Sequence, residues 1–205
     1  MKFVPFLLQS MLISLTGVMA PGPITAVTVG KGNESPHAGA LIAIGHSIIE
    51  FPLMVAIFYG FGYLIELSYV KASIALMGGL FLVVMAIGMI RAIRTARLES
   101  GKYISSSLVA GILLSAGNPY FLIWWITIGA AMVMRSVQFG IFGFITFAMA
   151  HWICDFVWCY FLSALAFKGR QFFGNVFQKA VFGVCGAFLL FLSGKFIFDG
   201  VKGFL

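Results

Sequence analysis

The sequence predicts an all-α integral membrane protein with six transmembrane helices. Of its 205 residues, 61% are hydrophobic and 9% are charged, whereas a soluble domain carries about 25% charged residues. A helix needs about 20 mostly apolar residues to cross a bilayer. Six stretches qualify: 6–29, 38–62, 72–90, 107–134, 138–166 and 180–201. The connections between them are too short for a soluble domain, so residues 1–205 are predicted to form a single transmembrane domain.

Glycine and proline interrupt the first and the fourth of these spans. The first contains APGP at 20–23, and the fourth contains AGNP at 116–119. A proline within a helix removes a hydrogen bond and costs about 3 kcal/mol, and open backbone at membrane depth is tolerated only against protein or water. Two such breaks predict a cavity inside the membrane, with paired packing kinks as the alternative. Trp124 and Trp125 either line this cavity or pack beside it.

The two halves of the chain resemble each other in three places. Besides the two breaks, GHSIIEF at 45–51 resembles AHWICDF at 150–156, and GGLFLVV at 78–84 resembles CGAFLLF at 185–191. The three matched segments occur in the same order in both halves of the chain. We therefore predict two three-helix repeats, about 1–97 and about 103–205, with the first helix of each repeat broken. Three spans is an odd number, so the second repeat is inverted in the membrane, as in many secondary transporters.

Each break is predicted to begin a new half-helix, at Pro23 and at Pro119. Proline suits the first helical position and asparagine suits the N-cap. The first N–H groups of a helix lack intrahelical acceptors and attract anions, so a substrate carboxylate is expected there. The N–H groups concerned belong to Ile24, Thr25, Ala26, Tyr120, Phe121 and Leu122. The predicted binding residues at the breaks are Pro21, Gly22, Pro23, Thr25, Gly117, Asn118 and Pro119.

Two pairs of an imidazole and a carboxylate lie within the second and fifth spans. His46 and Glu50 are four residues apart, as are His151 and Asp155, so each pair shares one helix face. A carboxylate near the bilayer centre costs on the order of 2.5–3.5 kcal/mol, which makes it a candidate for function. Glu50 and Asp155 are predicted to bind a substrate ammonium group. All four side chains are predicted to exchange protons, and a structural hydrogen bond between helices is the alternative.

The distribution of basic residues predicts the orientation of the chain. Alternate connections carry eight Lys and Arg residues on one side and four on the other, and the richer side faces the cytoplasm. Both termini are therefore predicted on the non-cytoplasmic side. The eight are Lys31, Arg91, Arg94, Arg97, Lys102, Lys168, Arg170 and Lys179, and the four are Lys2, Lys71, Arg135 and Lys202.

With PGP in its first span, NP in its fourth and six spans in about 200 residues, the chain resembles the lysine-exporter (LysE/RhtB) family of amino-acid translocators. The resemblance covers essentially the whole chain. It implies a homodimeric inner-membrane exporter of amino acids or related metabolites, driven by the proton-motive force. Pro21, Gly22, Pro23, Asn118 and Pro119 match the family's motifs. Many members have a single acid in the second span, whereas this chain has GHSIIE, in which His46 precedes the acid Glu50 by four residues.

The leading hypothesis is therefore secondary, proton-driven export of an amino acid or a similar small molecule across the cell membrane. The alternative is a divalent-cation transporter with His46, Glu50, His151 and Asp155 as ligands, since imidazole and carboxylate both bind such ions. No HExxH motif, nucleophile with its base or phosphate-binding loop is present, so neither an enzyme nor a cofactor is predicted. The net charge of +7 fits the membrane orientation better than a nucleic-acid partner.

Overall fold

The computed structural model describes residues 2–60, 68–95, 106–173 and 176–204. Within these ranges the chain forms eight helices and no strand, which confirms the predicted all-α architecture. The helices are α1 Phe3–Val18, α2 Pro23–Gly32, α3 Ala38–Phe58, α4 Ser68–Thr95, α5 Ser107–Ala116, α6 (Pro119–Trp124, a π-helical turn at Trp125–Gly129, and Ala130–Val137), α7 Gly140–Phe173 and α8 Val176–Lys202.

Five helices in the described ranges are long and apolar enough to cross a membrane. Their qualifying stretches are Ala38–Phe58, Ala72–Arg91, Pro119–Val137, Gly140–Gly169 and Lys179–Lys202. Helices α1 and α2 qualify only as a pair, bent by 76° at the first break, so the described ranges contain five candidate spans, or six if this pair counts as one span. Helix α5, with 10 residues, is about 15 Å long and covers half of a bilayer core.

Both predicted breaks are present in the fold. The first separates α1 from α2, and Pro23 occupies the first turn of α2 behind Gly22 at the N-cap. The second separates α5 from α6, where Asn118 is the N-cap of Pro119–Trp124 and its Oδ1 accepts a hydrogen bond from the Tyr120 N–H at 3.1 Å. The predicted boundary between the repeats, at residues 97–103, lies outside the described residues.

Glycines set the distances between the central helices. A Cβ added to Gly111 of α5 would lie 3.0 Å from the Cα of Gly45 in α3 and would overlap the Ile42 carbonyl. A Cβ on Gly39 of α3 would overlap the carbonyl of Cys159 in α7. Small residues allow membrane helices to approach backbone to backbone. Helix α3 therefore lies directly against both α5 and α7, and His46, which follows Gly45, faces the junction of the three helices.

Helices α4 and α8 pack together along most of their length. Their shared core contains the α4 residues Leu82, Ala86 and Met89 and the α8 residues Phe182, Cys185 and Leu189. Helices α1 and α2 pack against α7. This arrangement places α3 and α7, which carry the two imidazole and carboxylate pairs, at the centre of the protein.

We expect Gly45→Ala to destabilise the protein by about 1–3 kcal/mol, the usual cost of overpacking. The added methyl group would overlap the Leu108 carbonyl, which is backbone and can move only with α5. Gly88→Ala in α4 is the matched control, because its Cβ would meet nothing within 4 Å in the described chain. Thermal denaturation in detergent should give a lower melting temperature for Gly45→Ala alone, and equal values for both variants would contradict this account of the packing.

Candidate functional site

A cavity of about 80 Å³ lies between the first break and helices α3, α6, α7 and α8. It has room for several water molecules, since each needs about 10–15 Å³. The cavity brings together all of the predicted site residues except Gly117 and Pro119. Those lining it are Pro21, Gly22, Pro23, Thr25, His46, Glu50, Asn118, His151 and Asp155.

Glu50 is the centre of a buried polar cluster beside this cavity. Its Oε1 atom accepts a hydrogen bond from Trp125 Nε1 at 3.3 Å and is hydrogen-bonded to His46 Nε2 at 3.1 Å and His151 Nε2 at 3.2 Å. The Nε2 atom of His151 also lies 3.3 Å from Asp155 Oδ2. The two pairs that the sequence places on separate helices therefore form one cluster across α3 and α7. We call these five residues the Glu50 cluster.

Two serines that the sequence analysis missed contact the Nδ1 atoms of the two histidines. Ser115 of α5 lies 2.5 Å from His46 Nδ1, and Ser14 of α1 lies 2.6 Å from His151 Nδ1. Each histidine is therefore bound by a serine from the broken helix of the other predicted repeat. Serine is common in membrane helices, and nothing in the local sequence marks these two. Their importance depends on which helices come into contact.

Three buried polar atoms that belong to cavity-lining residues lack a hydrogen-bond partner among the described residues. They are Glu50 Oε2, Asp155 Oδ2 and Trp158 Nε1. An unsatisfied buried polar group costs about 1–3 kcal/mol, and more when it is charged, so each is a candidate to contact a ligand. Trp158 was not predicted as a site residue. Its spacing, three residues after Asp155 and seven after His151, could have identified it as part of the same helix face.

The prediction that the first three N–H groups of both half-helices lack intrahelical acceptors is wrong for two of the six, and a third is capped by a side chain. The Ala26 N–H donates to the Gly22 carbonyl at 3.0 Å, the Leu122 N–H donates to the Asn118 carbonyl at 3.2 Å, and the Tyr120 N–H is capped by the Asn118 side chain. The N-cap carbonyl already accepts the first helical hydrogen bond. No acceptor within the described ranges is found for the N–H groups of Ile24, Thr25 and Phe121.

The two breaks differ in what they face. At the first, Pro21 to Thr25 line the cavity, and the Thr25 hydroxyl donates to the Ala20 carbonyl at 3.1 Å across the break. At the second, Asn118 lines the cavity, but Pro119 packs on Gly78 of α4 so closely that a Cβ there would overlap its ring. A Cβ on Gly117 would lie 3.0 Å from the Phe81 ring. The second break is therefore largely a packing contact with α4.

The two tryptophans of α6 both line the cavity and pack. Trp124 and Trp125 are in the lining and also in the core cluster around Met54 and Phe147. The π-helical turn begins at Trp125, and such turns are frequent at functional sites because they change the direction of side chains. Here Trp125 directs its indole N–H to Glu50. The sequence left open whether the two tryptophans line the cavity or pack beside it, and they do both.

A divalent cation fits the cluster less well. His46, Glu50 and Asp155 offer ligand atoms within 4.8 Å of one another. However, Nε2 of both histidines is hydrogen-bonded to Glu50 and Nδ1 of both contacts a serine. A metal ligand must present a free lone pair, so each histidine that bound the ion would first have to break one of its two contacts.

Comparison with known proteins gives one result. The family model described as LysE type translocator matches residues 15–200, which is most of the chain and includes both breaks and the Glu50 cluster. No curated protein matches the chain. No solved structure matches it either.

Proposed function

The chain belongs to the LysE type translocator family, and from this premise we propose that it exports an amino acid or a closely related small molecule, coupled to the proton gradient. Family membership makes it a multi-pass membrane translocator. The observation that supports the finer proposal best is the pairing of unsatisfied carboxylate oxygens with unsatisfied N–H donors around one cavity. A free amino acid carries both complementary groups.

The ammonium group is proposed to bind between Glu50 Oε2 and Asp155 Oδ2. Both atoms are buried and accept no hydrogen bond in the described chain, although Asp155 Oδ2 lies 3.3 Å from His151 Nε2, and both residues line the cavity. An ammonium group has three donors and can contact both oxygens at once. A charged hydrogen bond of this kind contributes about 1.5–3 kcal/mol. Such binding would satisfy two groups that are costly to leave unpaired.

The carboxylate is proposed to bind at the start of α2. The N–H groups of Ile24 and Thr25 are available there, and the positive end of the helix dipole favours an anion. Trp158 packs near Val29, one turn further along α2, so its indole N–H is a third candidate donor. The second break contributes through Asn118, whereas Gly117 and Pro119 are assigned to packing. The lining also includes the apolar side chains of Leu162, Phe188, Leu189 and Leu192, which favour substrates with uncharged side chains.

Proton coupling is proposed to use the Glu50 cluster. Imidazole has an ordinary pKa near 6.5 and changes charge in the physiological range. The rings of His46 and His151 meet at one carboxylate oxygen, so a proton can pass between them through Glu50. Substrate ammonium and protons would then compete for the same carboxylates, so the binding of one would favour the release of the other. The breaks, with the proposed inverted repeats at about 1–97 and about 103–205, would supply the hinges for alternating access.

We propose that the protein lies in the inner membrane as a homodimer with both termini outside the cytoplasm, as the family resemblance and the distribution of Lys and Arg indicate. A reporter fused to the C-terminus should be active only on the non-cytoplasmic side. The same reporter inserted in the 96–105 segment should be active only in the cytoplasm. Activity of both fusions on one side would contradict the six-span topology.

The test of function is transport by the purified protein in liposomes with an imposed pH gradient. Pooled amino acids and divalent cations are loaded in parallel, and efflux is followed with and without a protonophore. The proposal expects efflux of one or a few amino acids that is lost when the gradient collapses. Metal efflux without amino-acid efflux would instead support the cation transporter.

A further inference from the structure

We propose that Ser115 is a positioning residue that keeps a proton on Nδ1 of His46, whereas Ser14 leaves Nδ1 of His151 unprotonated. The two histidines would then be inequivalent, and the His46–Glu50 pair would hold the transferable proton. The use of this proton in transport rests on the function proposed above. The protonation pattern itself depends only on hydrogen-bond geometry.

The first step is the direction of the Ser115 hydroxyl. Its Oγ donates to the Gly111 carbonyl, one turn earlier in α5, at 2.5 Å. A hydroxyl has one proton to donate but can accept as well, and a carbonyl can only accept. The same Oγ therefore acts as acceptor towards His46 Nδ1, also at 2.5 Å. It follows that Nδ1 of His46 carries the proton of that bond.

The second step concerns the other nitrogen of this ring. His46 Nε2 lies 3.1 Å from Glu50 Oε1, and this hydrogen bond needs a proton of its own. The proton belongs either to the ring, giving an imidazolium and a carboxylate, or to the carboxyl group, giving two neutral groups. In both cases the pair is neutral overall and holds one proton more than a neutral imidazole with a carboxylate. That proton is the one available for transfer.

The third step is the contrast at Ser14. Within the described part of the chain, the partner found for Ser14 Oγ is His151 Nδ1, at 2.6 Å. The Ser14 proton is therefore free to point at the ring. His151 Nε2–H then donates to Glu50 Oε1 at 3.2 Å and faces Asp155 Oδ2 at 3.3 Å. With one proton on Nε2 and none on Nδ1, His151 is a neutral imidazole.

Within the described ranges, the titratable groups that face His46 are Glu50 on its own helix and, on the far side of Glu50, His151 and Asp155 of α7. Helix α6 contributes the Phe121 ring, with centroids 4.9 Å apart, and α5 contributes Ser115. The contact of Gly45 with Gly111 fixes the separation of α3 and α5 beside this bond, so the backbone of Ser115 stays next to the ring unless a helix shifts.

The experiment is nitrogen NMR of the purified protein with ¹⁵N-labelled histidine at pH 7, in lipid. Signals are assigned with His37→Gln, His46→Gln and His151→Gln. We expect a protonated Nδ1 on His46 and an unprotonated Nδ1 on His151. Ser115→Ala removes the acceptor, so His46 should lose its Nδ1–H signal, whereas Ser115→Thr keeps the hydroxyl and the bond to the preceding turn and should retain it.

Ser14→Ala is the matched comparison and should leave the His46 signals unchanged. An unprotonated Nδ1 on His46 in the unmodified protein would overturn the proposal, as would an Nδ1–H signal that persists in Ser115→Ala. The Ser115→Thr and unmodified spectra decide the matter even if Ser115→Ala fails to fold. Because the readout is spectroscopic, a protein that transported no amino acid would refute the proposed function and leave this result standing.

Discussion

Replacing Glu50 with glutamine is expected to reduce pH-driven efflux at least about 100-fold. Glu50 Oε1 makes three hydrogen bonds, with His46, His151 and Trp125, and its side chain is 1% exposed. Removing one partner of such a buried charged network costs about 3–5 kcal/mol. The amide also lacks the charge that would hold a substrate ammonium, and it cannot take up a proton. Initial rates of efflux from liposomes over a series of pH values measure the effect.

Glu34→Gln is the control for this substitution. Glu34 is an exposed carboxylate beyond the end of α2 and outside the cavity lining, so its removal should leave efflux unchanged. Asp155→Asn is expected to impair coupled efflux as well, since Asp155 contributes the second unsatisfied oxygen. Normal pH-dependent efflux by the double variant Glu50→Gln, Asp155→Asn would eliminate the proposed role of the cluster in coupling.

The second large effect is expected from Trp158→Phe. Phenylalanine keeps an aromatic ring in place but removes the indole N–H, which is buried and has no acceptor among the described residues. If that N–H donates to the substrate carboxylate, its loss should cost about 1.5–3 kcal/mol, or roughly a 10- to 100-fold higher KM for efflux. An amine analogue of the substrate without its carboxylate should bind equally well to both proteins.

Trp152→Phe separates this effect from a simple loss of ring volume. The Trp152 N–H is also buried without a partner in the described ranges, but Trp152 packs between Phe51 and Phe156 and does not line the cavity. It should leave KM unchanged. Equal changes of KM in the two variants would mean that Trp158 acts only through packing.

The sequence by itself determined the elements of this protein and the faces of its helices. In a membrane, an apolar stretch of about 20 residues pairs its backbone N–H and C=O groups by forming a helix. Composition and length therefore predict the all-α fold. Proline and glycine act on the local backbone, so both breaks are visible as motifs. The spacing of four residues between His46 and Glu50, and between His151 and Asp155, places each pair on one face whatever surrounds the helix.

The tertiary structure alone decided which of these faces meet. The histidines of both pairs converge on one oxygen of Glu50 because α3 and α7 approach at Gly39 and Cys159. Ser115 reaches His46 because α3 and α5 touch at Gly45 and Gly111. The same packing directs the first break to the cavity and the second to α4, an asymmetry that two similar motifs cannot reveal. Helical periodicity depends on neighbours along the chain, whereas contacts between helices depend on the shapes of surfaces far apart in sequence.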